Sequence, residues 1–223
     1  MSPNAVKGAV VAGAVAVAAV LIGLYVLFLT NGPTPYHVPV AQAASGKTAN
    51  LTLQTVATIG PKEAPNQTWV SYLVREGGKW VRSTVWTLPA HSLIHVTIYN
   101  YDGNSGLRNP FLALGRGLVG GTFTVDGKPT RAINPDDASH TFAIPQLGLI
   151  VPLPGIADNA KNPCGVAPCD LSMAHHTVKF TFRTGKPGHY RWQCFVPCAA
   201  GFYYGFGGPM QTIGYMDGFV NVV

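Results

Sequence analysis

The sequence predicts an all-β sandwich preceded by one membrane-spanning helix, and three features point there. Residues 8 to 30 carry no charge, and at 1.5 Å per residue that run is about 34 Å long as a helix, enough for a bilayer core. Beyond it, short runs rich in Val, Ile, Thr and aromatic residues alternate with clusters of Gly, Pro, Asn and Asp, the signature of strands and turns. No stretch after residue 30 carries apolar residues at helical spacing.

Taken in order, residues 1–30 form the anchor. The apolar run exceeds the 7 to 15 residues of a secretory h-region, which favours a retained helix over a cleaved signal, although AlaGlnAla at 41–43 resembles a cleavage site. Lys7 on the amino-terminal flank puts the remainder on the extracytoplasmic side. Residues 31–47 open with AsnGlyProThrPro and read as an extended linker. Residues 48–223 then make one domain of seven or eight strands. Leu51, Leu53 and Thr55 alternate in its first strand. Trp69–Leu73 and Trp80–Trp86 flank GluGlyGly, a hairpin signal. In the run from Leu93, the residues Leu93, His95, Thr97 and Tyr99 share one face, while Ile94, Val96 and Ile98 share the other. His91 and His95 would align on a helix, but the β-branched run makes this a strand and removes the metal reading of that pair. Residues 103–136, 156–174 and 201–215 are insertions.

Composition excludes several functions. The net charge is +6, yet only 11% of residues are charged, and the basic residues are scattered singly, unlike the clustered footprint of a nucleic-acid binder. Neither a HisGluxxHis helix nor a serine-nucleophile motif occurs. The four cysteines fall into two close pairs. Cys164 and Cys169, in a Pro-rich loop outside the cytoplasm, are expected to form a local disulfide. Cys194 and Cys198 follow the strand Tyr190–Cys194 in a tight loop, and a second strand, Gly218–Val223, closes behind Met216. Thiolates, an imidazole and a thioether at one rim favour copper over hard cations.

These late residues resemble subunit II of haem-copper oxidases, whose cupredoxin domain carries a dinuclear copper centre. Pro187, Gly188 and Tyr190, then Cys194, Cys198 and the Met216-Asp217-Gly218 closure match the family's loop, and AspAlaSerHisThrPheAlaIle (137–144) with ValProLeuProGly (151–155) matches the segment that supplies its first histidine. The resemblance covers roughly residues 84 to 223. It implies a cupredoxin-like Greek-key β-sandwich and a copper site built from His140, Cys194, Cys198, Met216 and the carbonyl of Val196. Phe202 stands where the family has its second histidine, so one imidazole must come from elsewhere. A hairpin folded about residues 186 and 187 places Cys198 opposite position 175, which offers His175 or His176 as the substitute.

The resemblance further implies a non-catalytic subunit of a terminal oxidase complex in the respiratory chain, embedded beside other membrane subunits and passing electrons through or beside a degenerate dinuclear site. Two other functions fit the same residues: a free-standing membrane-tethered copper electron carrier, and a copper-free structural or binding module of the same fold. The positive charge disfavours docking of a basic cytochrome, leaving quinol or a non-basic redox protein as the expected donor. The aromatic loop 201–215 is expected at a subunit contact.

Overall fold

The computed structural model describes residues 2–30, 40–42, 47–61, 66–198 and 207–223, and divides into two units, Met1–Pro35 and Tyr36–Val223. The first holds one helix, α1 (Pro3–Thr30), of which Pro3–Leu27 is long and apolar enough to cross a membrane, with none of that span buried in the protein.

The second unit contains, in chain order, β1 (Val40–Gln42), β2 (Thr48–Val56), β3 (Ser71–Glu76), β4 (Lys79–Val81), β5 (Val85–Leu88), β6 (Leu93–Asn100), β7 (Phe123–Val125), β8 (Lys128–Thr130), β9 (Ala138–Ile144), β10 (Leu149–Pro154), β11 (His176–Arg183), β12 (Gly188–Gln193) and β13 (Asp217–Val222). They form two sheets, a six-stranded one ordered β1-β5-β13-β12-β9-β10 and a seven-stranded one ordered β4-β3-β2-β6-β11-β7-β8. The β2–β6, β1–β5 and β5–β13 pairs are parallel, and the other named pairs are antiparallel. The domain is therefore the all-β sandwich expected, with more strands than the seven or eight anticipated because several are only three residues long.

Alternation decides which residues face inward. On β6, Ile94, Val96 and Ile98 are buried, as is Val178 on the neighbouring β11. The opposite sheet contributes Trp86, Phe142 and Trp192, whose rings stack with centroids 4.8 to 6.0 Å apart. Burying three such aromatics supplies a large part of the core's apolar area. Trp192 also donates through Nε1 to the carbonyl of Thr84 at 2.7 Å, so its one polar atom is satisfied inside the core.

One finding adds to the sequence reading and a second corrects it. The insertion 103–136 contains regular structure, because β7 and β8 form a hairpin that extends the seven-stranded sheet from β11. Its turn, Asp126-Gly127, has positive φ at both residues, the backbone that a two-residue hairpin turn requires. The correction concerns β11 and β12. They are consecutive but unpaired: β11 lies between β6 and β7, whereas β12 lies between β13 and β9. The turn at 185–187 carries the chain from one sheet to the other, which removes the hairpin that placed residue 175 opposite Cys198.

Candidate metal centre

Three segments converge at one end of the six-stranded sheet. Strand β9 brings His140, the end of β12 brings Cys194, and the tight loop after it brings Cys198. They are bonded directly to one another. Cys194 donates its backbone N–H to the carbonyl of Met216 at 3.0 Å, fixing the start of the loop to the approach of β13. Phe195 N–H donates to Thr141 Oγ1 at 2.8 Å, and Thr141 N–H donates to Cys194 Sγ at 3.4 Å. The loop is thereby held to β9 beside the histidine.

The ligand atoms of His140, Cys194 and Cys198 all lie within 4.8 Å of one another, and all three residues are buried. The two Sγ atoms are 3.0 Å apart and the cysteines are free. His140 Nδ1 lies 2.9 Å from Cys198 Sγ and 3.9 Å from Cys194 Sγ. The Val196 carbonyl oxygen faces the same point, 2.8 Å from Cys198 Sγ and 3.4 Å from Cys194 Sγ. Met216 is fully buried and belongs to the same apolar cluster as both cysteines.

One participant was not read from the sequence. Asp102, just beyond β6, accepts from His140 Nε2 at 2.9 Å through Oδ2, while its Oδ1 accepts from Gly103 N–H at 2.8 Å. A carboxylate on the far nitrogen fixes the tautomer and ring plane of a metal-ligating histidine and leaves Nδ1 facing the thiols. The sequence held little to signal it, since 38 residues separate the two and AsnTyrAspGly reads only as the end of a strand.

The electrostatics follow from this packing. Burial pushes the Cys194 thiol up, but hydrogen bonds with Cys198 and His140, with attraction to the imidazole, bring it well below its ordinary value. Cys198 goes the other way, raised by burial and by the neighbouring sulfur. Burial lowers His140, yet Asp102 and Cys194 together outweigh it and raise the imidazole to about 9. Burial raises Asp102, but the His140 hydrogen bond and charge hold its carboxyl below the usual range. The packing thus favours the thiolate form at Cys194, the thiol at Cys198 and the charged imidazole at His140 against the Asp102 carboxylate.

His175 and His176 are engaged elsewhere. His175 Nδ1 lies 2.8 Å from the Met173 carbonyl and its ring packs on Tyr99 and Tyr101. His176 pairs through Nδ1 with Asp126 at 2.7 Å. Neither joins the cluster, for the reason given by the sheet topology. Phe202 lies outside the described residues, as does the loop through residue 206. The later part of that insertion packs into the domain: Gly214 N–H donates to Thr84 Oγ1 at 2.7 Å, and Tyr215 is fully buried against Trp69 with ring centroids 4.9 Å apart. Cys164 and Cys169 are disulfide-bonded to each other.

Two soft sulfurs, an imidazole nitrogen and a carbonyl oxygen fit copper by donor chemistry, and hard cations poorly. The chain matches no protein-family model and no curated protein. Among solved structures it is similar to a copper protein, rusticyanin, at 17% identity over 86% of each chain with a TM-score of 0.33. Reduced rusticyanin in solution is similar at 18% identity over 86% of this chain and 85% of that one, TM-score 0.32. Rusticyanin from Thiobacillus ferrooxidans is similar at 14% identity over 82% of each, TM-score 0.29.

Proposed function

We propose that the Tyr36–Val223 unit is a copper-binding electron-transfer domain, and that the chain serves as a subunit II-like, non-catalytic component of a membrane haem-copper terminal oxidase. The observation that carries the copper reading is the buried group of His140, Cys194 and Cys198 with the Val196 carbonyl turned toward it. These residues would hold the metal, with Met216 as the thioether beside them. Copper bound there supplies a one-electron couple. The protein's part is to keep the donors from moving between oxidation states, and the bonds of Cys194 to Met216 and Phe195 to Thr141 serve that purpose.

The oxidase reading rests on the ordered motifs at 137–144, 151–155, 187–190 and 216–218. The membrane and extracytoplasmic placement draws support from the apolar helix and from the Cys164–Cys169 disulfide, which suits an oxidising compartment. The donor is a quinol or a non-basic redox protein, in keeping with the net charge of +6.

Metal analysis with electron paramagnetic resonance of the copper-loaded full chain in detergent tests the site. A bound copper with thiolate-to-metal absorption supports it, and the hyperfine pattern distinguishes a mixed-valence pair from a single ion. Failure to retain copper after desalting would reject it. Affinity purification from native membranes then separates the oxidase subunit, which brings haem-bearing chains with it, from a free-standing carrier, which does not.

A further inference from the structure

The chain that leaves β6 is held down by bonds from several directions. Just before Asp102, Asn100 Nδ2 donates to the Pro154 carbonyl at 2.7 Å. The Asp102 carbonyl accepts from Ile156 N–H at 3.0 Å, and Ser105 donates to the Ala138 carbonyl through its N–H at 3.0 Å and its Oγ at 2.6 Å. Gly155 lies so close that a Cβ on it would collide with the backbone of Gly103 and Asn104. Residues 100–105 are thereby clamped to the start of β9 and the end of β10. His140 stands two residues beyond Ala138 on that same β9.

The clamp aims one side chain. Asp102 accepts from His140 Nε2 at 2.9 Å, with the histidine side chain 3% exposed and the carboxylate 26%. A His140 that ligates through Nδ1 is a neutral ring that keeps its Nε2 proton, so the charge of Asp102 stands directly behind it. Neither Lys nor Arg is among the residues lining the cavity of about 260 Å³ beside this carboxylate. Adding an electron makes the centre more negative by one charge whatever its total, and a fixed negative charge nearby opposes that step. The hydrogen bond also makes the imidazole a stronger donor, which favours the more highly charged, oxidised metal. Both effects have the same sign.

We infer that Asp102 is a positioning residue that sets the reduction potential of the centre, holding it lower than the sulfur and imidazole donors would by themselves, through its hydrogen bond to His140. The inference rests on the copper reading of the cluster. The clamp on residues 100–105 then has a purpose beyond folding, because it keeps one negative charge at one place behind the ring in both oxidation states.

The test is a redox titration of the copper-loaded full chain in detergent, followed by visible absorption and electron paramagnetic resonance. Asp102→Asn keeps the shape and loses the charge, so it should shift the midpoint potential in the positive direction. It should also weaken copper binding by about tenfold or more in competition with a chelator. Asp102→Ser, smaller and likewise uncharged, should shift the potential the same way, so the result does not hang on one variant's folding. Asp102→Glu restores the charge and should bring the potential back toward the parent. Asp126→Asn removes the carboxylate of the other His–Asp pair, at His176, and should leave the potential unchanged. An unchanged or more negative potential in copper-loaded Asp102→Asn and Asp102→Ser overturns the inference and leaves the copper site standing. An equal shift in Asp102→Glu or in Asp126→Asn overturns it as well, because the charge behind His140 would then not be the cause. A parent chain that takes up no copper refutes the site reading and the inference together.

Discussion

Replacing Gly218 by alanine should destabilise the domain far more than a single methyl group normally does. Gly218 pairs with Trp192 across β12 and β13 and lies against Thr84 at the head of β5. A Cβ at this position would collide with the Thr84 carbonyl oxygen and come within 2.6 Å of Trp192 Nε1 and 2.7 Å of the Thr84 carbonyl carbon. Two of these atoms belong to backbone and the third to a fully buried indole, so none can swing aside as the end of a flexible side chain would. The same Thr84 oxygen accepts from Trp192 Nε1 at 2.7 Å and from Phe219 N–H at 3.0 Å. Moving it breaks both bonds and strands two buried donors.

Each stranded donor costs about 1 to 3 kcal/mol, so the substitution should cost about 3 kcal/mol or more. For a domain of this size that lowers Tm by roughly 6 to 12 °C. Thermal unfolding of the full chain in detergent, followed by circular dichroism, measures it. Gly165→Ala is the control, because a Cβ there meets nothing within 4 Å and the residue has ordinary φ, and it should shift Tm by less than about 2 °C. The damage should also reach the metal centre, since Met216, whose carbonyl holds Cys194, is two residues from the wedge. A Gly218→Ala protein melting within about 2 °C of the parent would show that β13 can move off β5 cheaply, and the argument from close backbone approach would be wrong.

Further outcomes are expected at the site and the staple. His140→Ala should abolish copper retention, whereas His176→Asn should leave copper content and spectrum unchanged, and equal loss in both would return His176 to the ligand set. Metal affinity should rise with pH: His140, raised to about 9, is protonated at neutral pH, and the Cys198 thiol is held up as well, so a bound metal must displace protons from both. Between pH 6 and 8 the apparent affinity should increase by about one to two decades per pH unit, read by competition with a chelator, and a flat profile would show that both ligands are already deprotonated. Replacing Cys164 and Cys169 together by serine should cost about 2 kcal/mol, the loop-closure value for so short a ring, without altering the copper spectrum. A changed spectrum would place that loop closer to the site than its packing under Tyr101 and Leu73 indicates.

What could be read from the sequence was local or motif-bound. The inward face of β6 follows from alternation at Ile94, Val96 and Ile98, and the β3–β4 hairpin follows from Gly77 and Gly78, both with positive φ. The meeting of His140 with Cys194 and Cys198 needed the ordered resemblance, because 58 residues separate His140 from Cys198 and spacing alone cannot bridge them. The misplaced His175 and His176 came from assuming that strands joined by a short turn must pair. In a sandwich such a turn can equally cross between sheets, and sequence does not distinguish the two. Asp102 was missed for a related reason: a carboxylate at the end of one strand acquires its role only when the opposite sheet delivers an imidazole to it.

The way the centre is braced explains how an enlarged loop is compatible with an ordered site. In a loop-borne site, lengthening the segment between Cys198 and Met216 would loosen the ligands. Here the ligand segments are joined across the chain: β9 to the cysteine loop through Thr141, the cysteine strand to the closing strand through Cys194 and Met216, and His140 to the far sheet through Asp102. Residues 207 onward are also secured before the closing strand begins, by Met216 N–H to the Pro209 carbonyl at 3.0 Å and by Gly214 to Thr84. Chain added between these fixed points costs mainly loop-closure entropy, about 0.6 kcal/mol for each doubling of length. That is small beside the cost of breaking any one of the cross-links. The donors can therefore stay in place while the segment between them varies, which frees that segment to change in length without dismantling the cysteine pair.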